Sequence, residues 1–313
     1  MAFRIALTIC LALFLAACSG GAPRDVTVVI PDGASIRKAG DLLEQAGAVD
    51  AASSFVNEAR FFGGSAPIKP GEYQVKAGMD PGDVLKLLQS GKTLQRFVTI
   101  PEGMPSIMVW ERLMAEAKLT GAVAVPPEGS VLPDTYAFTG GEPRAAVAKR
   151  MQAAMDKAFA ELWATRSPRT GVTNRNEAIT LASIVEKETA VEAERRTVAG
   201  VYTNRLALGM KLQADPTIIY PLTKGKSLGR RIRRSEIDAV NDYNTYAMTG
   251  LPRGPIANPG RASIAAVLDP EPTRYLYFVA DGKGGHIFAQ TYADHDRNVD
   301  KWFAIRRERG EMD

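Results

Sequence analysis

Residues 181–190 read "LASIVEKETA". Small and apolar side chains run from Leu181 to Val185 and stop at the triplet Glu186, Lys187, Glu188. At 3.6 residues per turn, Glu186 falls one turn after Ala182 and two after Ile179, and Glu188 one turn after Ile184. A carboxyl group beside apolar neighbours has its charged form disfavoured, so it holds its proton closer to neutral pH. A general acid that protonates a leaving oxygen needs this property. An ordinary amphipathic helix reaching water ends in the same way. Spacing leaves both readings open, and does not choose between the two glutamates.

Working outward, the periodicity predicts a helix over about 176–189 around this stretch and another over about 192–208. A longer helix precedes them over about 143–165, with Val147, Met151, Ala154, Ala158 and Leu162 on one side. Before it, "PPEGSVLPDTYAFTGGEP" (126–143) is rich in Pro and Gly and reads as a boundary loop. Residues 25–120 repeat a strand–turn–helix pattern three times, opening at "VTVVIPDGASI", "GEYQVKAGMDP" and "RFVTIPEGMPS". Ser35 and Asp80 stand where N-caps belong, Pro81 takes a first helical position, and Gly91 follows that helix. Near the end, "RYLYFVA" puts Tyr275, Tyr277 and Val279 on one face of a strand, and "DGKGG" signals a hairpin. The expected fold class is α+β. A small strand–helix domain at 24–125 resembles LysM modules, which bind N-acetylglucosamine-containing glycans, or reads as a plain α+β support domain. A larger mixed α+β domain follows at 126–313.

The 313 residues, 45% hydrophobic and 24% charged, can build a real core, and the net charge of +4 is mild. Residues 1–23 differ from the rest. Ile5 to Ala17 carries no charge and covers roughly 20 Å as a helix, short of a roughly 30 Å hydrocarbon core. It reads as a secretory signal ending in Leu15-Ala16-Ala17-Cys18, similar to a bacterial lipobox, or as a short anchor helix. Either reading exports the chain and holds it at a membrane. Cys10 and Cys18 are the only cysteines, so the exported part has neither a disulfide nor a thiolate metal site.

Other segments are ambiguous singly. The basic run "KGKSLGRRIRRSE" (224–236) lacks any nucleic-acid motif; it reads as a solvated loop or as a contact for cell-wall peptide carboxylates. His286 and His295 have no evident carboxylate partner for a metal, and no cofactor motif is present. "LPRGPIANPG" must be a shaped loop, and "YNTY" before it offers groups that hydrogen-bond and stack on sugars.

Taken together, "EGSVLPDTY" (128–136), "LASIVEKET" (181–189), "LQADPTIIY" (212–220), "YNTY" (243–246), "GLPRGPIANPG" (250–260), "YLYFVADGKGGHIF" (275–288) and "HDRNV" (295–299) resemble, in order and spacing, the endolytic murein transglycosylases of the MltG (YceG-like) type. The resemblance implies a lyase that cuts the β-1,4 bond between N-acetylmuramic acid and N-acetylglucosamine and leaves 1,6-anhydro ends. It implies Glu186, the first glutamate of "EKET", as the acid, with Gln213, Asp215, Tyr243, Asn244 and Tyr246 in the substrate cleft. No metal or cofactor is implied. Its expected partners are peptidoglycan strands, a membrane (the inner membrane, with the catalytic part in the periplasm) and peptidoglycan synthases, and not nucleic acid. Two residues depart from the family pattern, Arg253 and Asp242, both where proline is common. The competing expectations are a non-catalytic glycan-binding scaffold, or a hydrolase pairing Glu186 with Asp215 or Glu188.

Overall fold

The computed structural model describes Ala22 and residues 24–311. The lipobox-like Cys18 and the apolar run before it lie outside the described residues. Among the described residues no helix is long and apolar enough to cross a membrane. The chain divides into two compact units. One is the chain up to Arg96 with Thr139–Glu142; the other is Phe97–Phe138 with Pro143 onward.

In the small unit, β1 (Val26–Ile30) is followed by α1 (Ile36–Gln45), α2 (Ala52–Phe62), β2 (Gly71–Val75) and α3 (Pro81–Ser90). The two strands pair antiparallel, Val26 opposite Val75 and Ile30 opposite Gly71. Both expected N-caps form. The Ser35 hydroxyl accepts from the Lys38 N–H at 3.1 Å and the Asp80 carboxylate from the Asp83 N–H at 2.9 Å. Gly91 ends α3 at φ +72°, a left-handed turn that glycine takes without a Cβ penalty. Val28, Ile30, Leu43, Phe55, Tyr73, Val84 and Leu88 form the core. The sequence reading did not include α2, in which Phe55 and Ala59 are buried while Phe61 and Phe62, in its last turn, face water.

The large unit begins with β3 (Arg96–Thr99), α4 (Ser106–Ala115), β4 (Thr135–Phe138) and α5 (Arg144–Ala164). β3 pairs with β4. The third strand–helix repeat does form, but its apolar side chains Val98, Ile100, Val109 and Leu113 pack with Phe138, Val147 and Met151. The division between compact units therefore follows Arg96, upstream of the Pro/Gly-rich loop where composition placed it.

Next come α6 (Arg175–Glu188), α7 (Arg195–Ala207), α8 (Pro216–Thr223), the short α9 (Arg234–Ile237) and α10 (Arg261–Leu268). The hairpin of β5 (Tyr277–Ala280) and β6 (His286–Ala289) leads into α11 (Tyr292–Glu308). The expected hairpin turn forms, with the Asp281 carboxylate accepting from the N–H groups of Lys283 and Gly285. The sequence suggested an amphipathic α6. Instead, every residue from Ala178 to Val185 is buried, because α7, α8 and α10 all pack on it. Asn174 caps its start through the Glu177 N–H. The helix leaves the core only at its last turn, and there it delivers Glu186, Lys187 and Glu188.

Candidate active site

Successive residues on a helix turn by about 100°, so Glu186 and Glu188 leave α6 on nearly opposite sides. Glu188 lines a cleft of about 580 Å³ together with Gln213, Asp215 and Tyr246. The rest of that wall is largely aromatic: Tyr202, Tyr277, Phe278, Tyr292, Trp302 and Phe303. Burial, reinforced by the negative charge of Asp215, pushes the Glu188 carboxyl up to about 7; a hydrogen bond from Tyr202 and the charge of Arg205 oppose this only in part. Its buried Oε1 has no hydrogen-bond partner among the described residues. The negative end of the α6 dipole acts in the same direction.

The groups around Glu188 are held from behind. The Tyr202 ring is fully buried and meets Phe278 edge-on at 5.8 Å. The Arg205 guanidinium donates to the carbonyls of Leu276 at 2.6 Å and Leu212 at 2.7 Å, and its charge lies 5.3 Å from the Tyr277 ring centre. On the other wall, Gln213 takes φ +52°, a backbone region rare for any residue but glycine. The turn is fixed because the Gln213 N–H donates to the Thr245 carbonyl at 3.2 Å and the Ala214 N–H to the Thr245 hydroxyl at 3.0 Å. Buried Thr217 and Thr245 hydroxyls meet at 2.9 Å and tie the 243–246 loop to the start of α8. The Tyr246 hydroxyl donates to Asp215 Oδ1 at 2.7 Å. His295 stacks on Tyr277 at 5.2 Å; burial and the charge of Arg205 lower its pKa.

Glu186, which the resemblance made the acid, does not line this cleft. Its Oε2 accepts from the Gly260 N–H at 2.9 Å, and Arg195 lies 4.0 Å from its Oε1. Arg195 also pairs with Glu102 at 3.3 Å. Burial, and next the charge of Glu186, raises the Glu102 pKa. A Cβ at Gly260 would come within 1.9 Å of the Glu102 carboxylate, so any larger residue there would displace that side chain.

Two further residues placed in the cleft by resemblance lie elsewhere. Asn244 is fully buried. Its amide donates to the carbonyls of Ile237 at 2.8 Å and Ala239 at 2.7 Å, and its oxygen accepts from the Tyr246 N–H. Its polar groups are spent on the loop that presents Tyr246. Tyr243 packs on Tyr220 at 4.9 Å, and the Tyr220 hydroxyl donates to Glu128 at 3.3 Å. Burial raises the Glu128 pKa. The two departures from the family pattern pair with each other: Arg253 reaches Asp242 at 3.3 Å, and the Arg253 N–H donates to the Asp242 carbonyl at 2.9 Å. His286 spends its Nδ1 on Glu194 at 2.7 Å.

Sequence reasoning missed Tyr202 and Arg205. Both sit two to three turns along α7 with no motif of their own, and only the packing of α7 on α6 reveals them. The signal for Glu188 was present, one turn after the buried Ile184.

Residues 28–301 match the YceG-like family. The chain is 27% identical over 316 residues to a Bacillus subtilis (strain 168) protein named endolytic murein transglycosylase, covering 91% of this chain and 86% of that one. It is 32% identical over 323 residues to a protein of the same name from Streptococcus pneumoniae serotype 2 (strain D39), covering 88% of this chain and 58% of the longer pneumococcal one. The crystal structure of a YceG-like protein from Listeria monocytogenes superposes with a TM-score of 0.54 at 28% identity, covering 88% of this chain and 99% of that one.

Proposed function

The chain belongs to the YceG-like family, and we propose that it is an endolytic peptidoglycan transglycosylase with Glu188 as its acid. One observation carries the assignment. A carboxyl with its pKa pushed up to about 7 stands in a cleft beside Gln213, Asp215 and Tyr246. At neutral pH a large share of Glu188 is protonated and able to donate.

In the proposed reaction Glu188 gives its proton to the oxygen linking N-acetylmuramic acid to N-acetylglucosamine. The C1–O bond breaks and the N-acetylglucosamine end departs as an alcohol. Positive charge gathers at the muramyl C1. The Glu188 carboxylate then takes the proton of the same sugar's 6-hydroxyl, and that oxygen closes on C1. A 1,6-anhydro ring results, the acid is restored, and no water is consumed. One carboxylate therefore serves both steps, whereas an ordinary glycosidase divides them between two. Asp215 raises the proton affinity of Glu188, and its charge faces the cation that develops at C1. Tyr246 holds Asp215 in place. Gln213 is positioned to hydrogen-bond the substrate, and Tyr202 orients the acid. The aromatic wall supplies faces for sugar rings and limits entry of water. Asn244 and Tyr243 act through the shape of their loop.

The nearness of Asp215 to Glu188 favours one second reading, a two-carboxylate hydrolase. The products separate the two. Full-length protein extracted in detergent, beside its Glu188→Gln variant, is used to digest purified peptidoglycan, and the fragments are weighed by mass spectrometry. The lyase gives ends one water lighter than the hydrolase does, and the variant gives neither. Reducing ends from the wild type would establish the hydrolase. Activity surviving in Glu188→Gln would reject the assignment of the acid.

The strand–helix–helix–strand order of the small unit, with its strands antiparallel, supports a LysM-like glycan-binding role for it. The lipobox-like segment at Cys18 supports a membrane-held, periplasm-facing enzyme that trims strands near their synthases. The mass of the detergent-extracted protein tests the lipid: an unlipidated Cys18 would leave the short anchor helix as the means of attachment.

A further inference from the structure

The basic run 224–236 has no part in the reaction just described. In the fold, Gly225–Arg230 from that run wall a second cavity, of about 760 Å³. Two pairs of chain neighbours straddle this cavity and the cleft of Glu188. Lys187 lines the cavity and Glu188 the cleft; Pro216 lines the cavity and Asp215 the cleft. Consecutive Cα atoms are about 3.8 Å apart. The cavity therefore starts within one residue of the cleft on both α6 and α8.

The chemistry of its lining is distinct. Met104, Met108, Ile219, Leu228 and Ile256 make it apolar, and no aromatic ring, Asn or Gln faces it. Those missing groups are the ones that bind sugars. Three cations line it, Lys187, Lys226 and Arg230, against one carboxylate, Glu102. Glu102 is engaged by Arg195, Lys226 by Glu111, and Arg230 by Glu236. Lys187 is exposed and makes only a 3.4 Å hydrogen bond to the Gly103 carbonyl. It forms no ion pair among the described residues. An apolar trough with a cationic rim suits a short peptide bearing carboxylates. In peptidoglycan that peptide hangs from the lactyl group of the muramyl ring, the ring whose C1 bond Glu188 would break. It must leave from the immediate surroundings of the acid.

We propose that this second cavity receives the acidic stem peptide of the muramyl residue at the scissile bond, with Lys187 pairing with one of its carboxylates. The proposal rests on the glycan-cleaving reading of the Glu188 cleft. It makes the enzyme selective for strands that still carry their peptides.

The test measures binding apart from turnover. Two glycan fragments of equal length, one bearing stem peptides and one stripped of them, are titrated calorimetrically into detergent-extracted, full-length Glu188→Gln protein. The peptide-bearing fragment is expected to bind about tenfold more tightly, as charge-assisted hydrogen bonds allow. Adding Lys187→Gln should remove most of that difference, and Lys187→Arg should keep it. Raising the salt concentration should shrink it. Equal affinity for the two fragments would overturn the proposal. So would a loss of affinity, in Lys187→Gln, that is the same for both, since the cavity would then hold sugars. Failure of the wild type to cleave either fragment is a separate result: it counts against the transglycosylase reading and leaves a peptide-dependent affinity standing.

Discussion

Glu186 and Glu188 leave the same buried helix two residues apart and meet opposite surroundings. Glu186 receives a backbone N–H at 2.9 Å and has a guanidinium 4.0 Å away, the partners an anion needs. Glu188 meets buried aromatic surface, a phenol, and a second carboxylate, Asp215. One side of the helix end meets a backbone N–H and a guanidinium, and the other raises the proton affinity of its carboxyl. Two carboxyls on one helix end are thus distinguished by what faces each of them, since sequence neighbours on a helix share almost no environment.

The largest expected effect separates the two glutamates directly. Glu188→Gln should lower the release of anhydro ends about a thousandfold, within the range usual for loss of a general acid. Glu186→Gln should leave the rate within about tenfold, because its amide oxygen can still accept from Gly260. If Glu186→Gln were the inactive variant, the acid would lie on the other side of α6 and the contrast would be reversed.

A smaller effect concerns the basic limb of the pH profile. The acid must be protonated to act, so kcat/KM of the wild type should fall as pH rises through about 7. Asp215→Asn removes the anion that helps raise Glu188. The pKa then drops and the limb moves to lower pH, with the greatest loss of rate above neutrality. A limb that stayed in place would mean that burial alone sets the pKa of Glu188.

The architecture was legible wherever local chemistry decides it. Ser35, Asp80, Pro81 and Gly91 marked helix ends, and "DGKGG" marked the hairpin, because caps and turns depend on a few adjacent residues. The central position of α6 was harder to read. Thr180 and Ser183 look like a polar face, yet both are buried. The Ser183 hydroxyl is satisfied there by the Thr180 carbonyl and the Ile256 N–H. The cleft was half legible. Gln213, Asp215 and Tyr246, named through their motifs, line one cleft, whereas Asn244 does not line it: its amide is spent inside the loop, which its motif does not reveal. The choice between Glu186 and Glu188 depended on Gly260, Arg195 and Tyr202, which no spacing brings together.

Stability should record the same contrast more weakly. Glu188 has a folded pKa of about 7, above its ordinary value of 4.5. The folded state then binds this proton more tightly than the unfolded state. Its contribution is intact below about 4.5 and is lost as pH climbs toward 7. Glu188→Gln does not titrate. Relative to wild type it should gain about 1–3 kcal/mol between pH 4 and pH 8, read from denaturant midpoints at each pH. A constant difference across that range would show that Glu188 titrates normally.

The smallest effect belongs to the other side of the helix. In Glu186→Gln the Gly260 N–H keeps an acceptor, Arg195 keeps Glu102, and only the contact at 4.0 Å is lost. Stability should change by less than about 1 kcal/mol. Glu186→Leu is the sharper probe, because the Gly260 N–H then loses its acceptor, at a cost of about 1–3 kcal/mol. Neither variant should move the basic pH limb, since the Glu188 pKa is set by burial, Asp215, Tyr202 and Arg205. A displaced limb in Glu186→Gln would mean that the two sides communicate through the last turn of α6. Glu186, Lys187 and Glu188 would then have to be treated as one electrostatic unit rather than as an anchor, a peptide contact and an acid.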